Sequence, residues 1–288
     1  MKRSVITIVA IDLIFLCMLL LSSILGGAVG AIIYALAFIV PILIGIGAIW
    51  KQKSALRSDD GAVFSDNDGD VPTPRRNEIR LSLSAKEALI TLPVIIPGTA
   101  IVFLLSLAFG YLGGLFGIGS GGTLTEPFGT ALLTYALLPA VLEEILFRYI
   151  PIKLFCEERG NMRAAVIVSA VTFAFGHMNL LQIPYALAAG IIFAWLDIIC
   201  ESLLPSVILH AVNNVISLCF MYEIGGWVIF AVLGALLLIS AAAITFMRKR
   251  YADMTRQAFS ISRESYDLTP MLIYMIPALF LAAISTIA

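Results

Sequence analysis

The sequence predicts an all-α polytopic bundle of about eight to nine membrane-spanning helices, and three observations predict it. Hydrophobic residues make up 60% of the 288 positions and charged residues only 13%. Mean hydropathy is +1.01, and apolar runs long enough to cross a ~30 Å hydrocarbon core recur along nearly the whole chain. A soluble domain of this length has no core large enough to hide so much apolar surface.

The runs are taken in chain order. The first, Ile6 to Leu25, follows Lys2 and Arg3 and exceeds the ~7 to 15 apolar residues of a cleavable signal, so it reads as a retained anchor. Ala28 to Trp50 pairs with it. Leu89 to Phe116, Phe128 to Cys156 and Ala164 to Met178 come next, then Ile183 to Cys200, Leu203 to Met221, Trp227 to Met247 and Met271 to Ile287. Basic residues resist translocation and mark cytoplasmic loops. With Lys2 and Arg3 inside, the basic residues from Lys51 to Lys86, Lys153, Arg159, Arg163 and the run from Arg248 to Arg263 all fall inside, and the outer segments hold no Lys or Arg. Arg148 alone is placed deep in a span, which calls for a partner carboxylate. The expected location is the plasma membrane with a cytoplasmic N-terminus.

Several chemistries are excluded at once. A net charge of −1 and a pI near 6.1 leave no basic face for nucleic acid beyond the cytoplasmic loops. Cys17, Cys156, Cys200 and Cys219 are widely spaced, with no Cys-x-x-Cys pair, and read as packing residues. The polar stretch from Arg57 to Glu78 reads as a cytoplasmic linker. Its Asp66-Asn67-Asp68-Gly69-Asp70 run lacks the Gly and Glu that a calcium loop needs at its sixth and twelfth positions, where Val71 and Asn77 stand. Gly117, Gly119 and Gly122 fit a nucleotide-loop string, but no strand precedes them and an external turn is the better reading.

Ionisable side chains inside a bilayer are costly and mark function. The chain has two histidines, His177 and His210, and both lie in apolar segments, as do Glu143, Glu144, Arg148 and Asn214. Glu144 and Arg148 stand at i and i+4 on one helical face, where their charges neutralise each other; Glu143 is turned ~100° away. Phe173 lies one turn before His177, and Gly176 permits close backbone approach. His210 and Asn214 again share a face at i and i+4. Glu143 and His177 are each 17 residues from Gly160 in the intervening cytoplasmic turn, so the two helices bring them to matched depth. A glutamate and a histidine so placed are the minimum parts of a base that activates water. Asp12 and Asp197 are further acids in spans but match no motif.

The pattern E-E-x-x-x-R, F-x-x-x-H and H-x-x-x-N on three separate membrane helices resembles the CPBP intramembrane protease family, also called the CAAX protease or Abi family, over roughly Phe128 to Met221. The resemblance implies an intramembrane endopeptidase acting on membrane-anchored or lipidated peptides and proteins. By that analogy Glu143 activates water with His177, His210 and Asn214 stabilise the oxyanion, and Glu144 with Arg148 supports the site while Phe173 positions the histidine helix. Residues 1–88 would then be an N-terminal hairpin with its polar loop, 89–247 the protease core, and 248–288 a basic loop and last helix. No cofactor is required on this reading. The alternative is zinc or another divalent metal held by Glu143, His177 and His210, although no His-Glu-x-x-His motif supports it. A noncatalytic scaffold on the same fold and a proton-coupled transporter are the competing functions.

Overall fold

The computed structural model describes residues 2–60, 79–80, 82, 84–115, 125–157, 162–259 and 269–287. The acidic run 66–70, the glycines between 117 and 122, and the turn 158–161 lie outside the described residues. Nine helices are present among the described residues: α1 (Lys2–Leu25), α2 (Gly27–Asp60), α3 (Ala85–Leu115), α4 (Phe128–Cys156), α5 (Met162–Gly176), α6 (Ile183–Cys200), α7 (Leu204–Met221), α8 (Gly226–Phe259) and α9 (Thr269–Ile287). Eight of them are long and apolar enough to cross a membrane; α5 is the shorter exception. The protein is an integral, multi-pass membrane protein. Pro41, Pro93, Pro97 and Pro277 sit inside helices, as membrane-spanning helices tolerate.

Two departures from regular helix matter for the site. α4 contains two π-helical segments, Leu132–Leu137 and Ile145–Tyr149, on either side of Glu143 and Glu144. Single π turns interrupt helices mostly at functional positions, because the wider turn rotates the side chains beyond it. The fifth helix also ends earlier than its apolar run suggests. It stops at Gly176, and His177 lies in the turn that follows, where Met178 takes the left-handed region at φ 48°. Hydropathy alone does not register this stop, since Met178, Leu180 and Leu181 continue the apolar character.

α5 is the buried centre of the bundle. Its Ala165, Val168, Ser169, Ala170 and Ala174 are fully enclosed, and small side chains let membrane helices approach closely. α5 and α6 cross closely, and a Cβ on Gly190 would stand 2.8 Å from the Cα of Ala170. Ser169 Oγ donates to the Phe147 carbonyl at 2.6 Å and ties α5 to α4.

Polar contacts identify the two ends of the bundle. At one end Ser4 Oγ donates to the Leu154 carbonyl at 3.3 Å, joining the start of α1 to the end of α4. There too Arg80 pairs by its backbone with the α6–α7 turn, its N–H donating to the Glu201 carbonyl and its carbonyl accepting from the Leu203 N–H, both at 2.9 Å. The Tyr251 hydroxyl donates to the Ile90 carbonyl at 2.6 Å. At the other end Ser22 Oγ donates to the Gly30 carbonyl at 2.8 Å, the Tyr222 hydroxyl to the Glu126 carbonyl, and the Leu180 N–H to Thr286 Oγ1 at 2.8 Å.

Candidate active site

α4, α5 and α7 supply the polar groups, and they converge. Glu143, Phe173, His177, His210 and Asn214 all line one cavity of about 470 Å³. Glu144 and Arg148 lie beneath it, both at 0% exposure. The ion pair expected from their spacing is formed, with Arg148 Nε 3.2 Å from Glu144 Oε2. The guanidinium is stacked on Phe173, its Cζ 3.7 Å from the ring centroid, and lies 5.2 Å from the centroid of Phe193. Cation–π attraction of this kind is strongest where the charge is desolvated.

Glu144 has a second partner that its helical position does not reveal. Its Oε1 accepts from His210 Nδ1 at 2.7 Å, across 66 residues of sequence. One buried carboxylate therefore bridges a guanidinium on its own helix and an imidazole on α7. With Nδ1 committed, His210 turns Nε2 toward Glu143, 4.0 Å from its Oε2. The imidazole is further clamped by edge-on contact with Phe173 at 5.5 Å and by Phe193 at 5.7 Å. Phe173 thus touches Arg148, His177 and His210 together, a larger part than orienting one helix.

His177 is fixed by its own backbone. Its Nδ1 donates to the Phe173 carbonyl at 2.8 Å, one of the last carbonyls of α5, so the uncommitted Nε2 belongs to the cavity side. Gly176, the last helical residue, has a packing reason to lack a side chain: a Cβ there would stand 2.7 Å from Cζ of Phe147. Asn214 donates from Nδ2 to the Ala136 carbonyl at 3.5 Å, inside the first π segment of α4. An amide has two N–H donors, which leaves one for another acceptor.

Sequence reasoning passed over several contributors. Asp197, set aside as matching no motif, is fully buried and accepts from the Ser206 hydroxyl at 2.7 Å and from the Ser206 N–H at 3.2 Å. It thereby caps the first turn of α7, one turn before His210. A Pro-Ser pair opening that helix was the available signal. Tyr34, Ser106, Tyr135, Gln182, Tyr185, Asn213 and Ser217 also line the cavity; no local motif distinguishes them in advance.

Among the described residues no three His, Cys, Asp or Glu side chains stand together so as to hold one ion. Of the candidate ligands Glu143, His177 and His210, both histidines commit Nδ1, to the Phe173 carbonyl and to Glu144, and keep Nε2 uncommitted.

Fold and site define a polytopic helical membrane protein with an acid, two imidazoles and a carboxamide around one internal cavity. Residues 126–216 match the family model described as Rce1-like, type II CAAX prenyl endopeptidase. This is the family that the three motifs resemble, and all seven motif residues lie within the match. No curated protein and no solved structure gives a match.

Proposed function

We propose that the protein is an intramembrane endopeptidase that hydrolyses a peptide bond of a membrane-associated substrate, with Glu143 as the base. The observation that carries this reading is the convergence of Glu143, His177, His210 and Asn214 on one cavity, backed by the buried Glu144–Arg148 pair. A water between Glu143 and His177 gives its proton to the Glu143 carboxylate while His177 Nε2 orients it. The water oxygen bonds to the scissile carbonyl carbon. Negative charge then develops on the carbonyl oxygen, and the free Asn214 N–H and protonated His210 Nε2 donate to it. Glu144 accepts from Nδ1 and orients the ring, as a carboxylate holds a catalytic histidine in other hydrolases. Collapse breaks the C–N bond, and the proton held by Glu143 passes to the leaving amine.

General-base help contributes about 10²–10⁴-fold and a single oxyanion donor about 10²–10³-fold. Glu143→Gln and His177→Ala should therefore abolish cleavage of a membrane-tethered reporter by purified enzyme in liposomes, while both variants elute and melt like the parent. Asn214→Ala should keep a residual rate about 10²–10³ below the parent. Unchanged cleavage in Glu143→Gln ends the reading. Because the reaction uses the chain's own groups, activity should survive exhaustive chelation with a metal content below stoichiometric; loss that zinc restores would instead assign Glu143, His177 and His210 as ligands.

A further inference from the structure

We propose that the catalytic cavity opens on the membrane face opposite the basic loops, so that its substrates present the scissile segment from the non-cytoplasmic side. The inference rests on the endopeptidase reading for its substrate class, and on the distribution of charge and depth for its direction.

Floor and rim of the cavity differ in burial and in level. Phe173, Phe193 and His210 form the floor, at 3%, 1% and 4% exposure. Below them Glu144, Arg148, Asp197, Leu196 and Leu209 are all sealed, and the Arg80 backbone closes over the α6–α7 turn beyond. Among the described residues the cavity lining does not extend past this floor toward that end. The rim lies the other way. Tyr34 and Tyr135 are 46% and 48% exposed, and each sits about two turns from the start of its helix at the far end of the bundle. Ser217 is one turn from the end of α7, Ser106 is under three turns from the end of α3, and Gln182 lies in the α5–α6 turn itself.

Charge separates the same two ends. Arg3, Lys51, Lys53, Arg80, Lys153, Arg163, Arg248, Lys249, Arg250 and Arg256 all belong, by their positions along the helices, to the end where the floor is sealed. Among the described residues the rim end has no Lys or Arg, and it carries Glu126 and Glu223. Lys and Arg near span ends stay cytoplasmic. The mouth therefore faces outward. The substrate fitting it is the extracytoplasmic segment of an anchored or exported polypeptide, neutral or basic near the cleavage point. A lipidated tail confined to the cytoplasm lies on the wrong side of the floor.

Sidedness is measurable without activity. In the full-length chain with Cys17, Cys156, Cys200 and Cys219 changed to serine or alanine, Glu223→Cys and Ser217→Cys should react with a membrane-impermeant maleimide on intact cells, and Ser54→Cys only in inside-out vesicles. The reverse pattern, or Ser217→Cys reacting only from the Ser54 side, overturns the proposal. Should the cysteine-free chain not accumulate, an epitope inserted after Glu223 in the native chain, compared on intact and permeabilised cells, gives the same answer. Two reporters with one scissile sequence on either side of a single anchor then test the substrate class: only the outward one should be cut. Cleavage of the inward reporter alone overturns the proposal, whereas outward labelling with neither reporter cut by the parent or Glu143→Gln chain counts against the endopeptidase reading and leaves the orientation standing.

Discussion

At the scale of single residues the site depends on one carboxylate serving two partners. Glu144 is buried, 2.7 Å from His210 Nδ1 and 3.2 Å from Arg148 Nε. Breaking a buried pair by removing one partner strands the other charge and costs about 3–5 kcal/mol, while removing both can be nearly neutral. Arg148→Met should therefore lower the melting temperature of the purified protein sharply. Adding Glu144→Gln should recover most of that loss, because a neutral amide can still accept from His210. Activity should not recover with it: without a carboxylate at Nδ1 the ring is no longer held to donate from Nε2, and kcat should stay about 10²–10³ below the parent, the scale of a lost oxyanion donor. Stability and kcat that rise together in the double variant would show that the pair acts through folding alone. The Glu144–Arg148 half of this arrangement was readable from the i, i+4 spacing. The His210 half was not, since no local pattern encodes a contact between α4 and α7.

At the scale of elements, the helices carrying the chemistry are set by close crossings and interrupted turns. The α5–α6 crossing has no room at Gly190, whose nearest neighbour is backbone and cannot swing away. Gly190→Val should push the two helices apart and, with α5, shift His177 from its place across the cavity from His210. Overpacking costs about 1–3 kcal/mol, so a lower melting temperature and reduced kcat are both expected. Gly47→Ala is the control, for a Cβ there meets nothing within 4 Å and a helical Ala is favoured over Gly. If both substitutions are silent, the crossing does not position the site. Composition registers neither such crossings nor the π segments around Glu143 and Glu144, nor the stop that puts His177 in a turn, because each depends on which side chain meets which backbone. The motif spacings were legible for the opposite reason. They are local, and their members are rare polar residues against an apolar background.

At the scale of the whole molecule, the apolar runs made the number of spans legible, because hydrocarbon demands a minimum length from every crossing helix, but α2 and α8 run on to Asp60 and Phe259, past the apolar runs that end at Trp50 and Met247. What they leave open is how firmly each helix belongs to the bundle. α8 is the extreme case: Trp227, Leu238 and Phe246 are 87%, 77% and 92% exposed. Its firm polar attachments lie near the basic end, where the Tyr251 hydroxyl donates to the Ile90 carbonyl at 2.6 Å and Trp195 Nε1 donates to Thr255 Oγ1 at 3.1 Å. Toward the other end it meets α3 and α7 across an apolar groove of about 310 Å³ lined by Ile95, Val212, Ile216 and Ile229. No residue of α8 lines the catalytic cavity. Interhelical hydrogen bonds in membranes contribute about 0.6–2 kcal/mol, so Tyr251→Phe should lower the melting temperature modestly and speed proteolysis near Arg248–Arg250 in detergent. The rate of reporter cleavage at saturating substrate should stay within about twofold, less than 0.5 kcal/mol in the barrier. A large fall in kcat with unchanged melting would mean that α8 reaches the active site through α3, whose Ser106 lines the cavity.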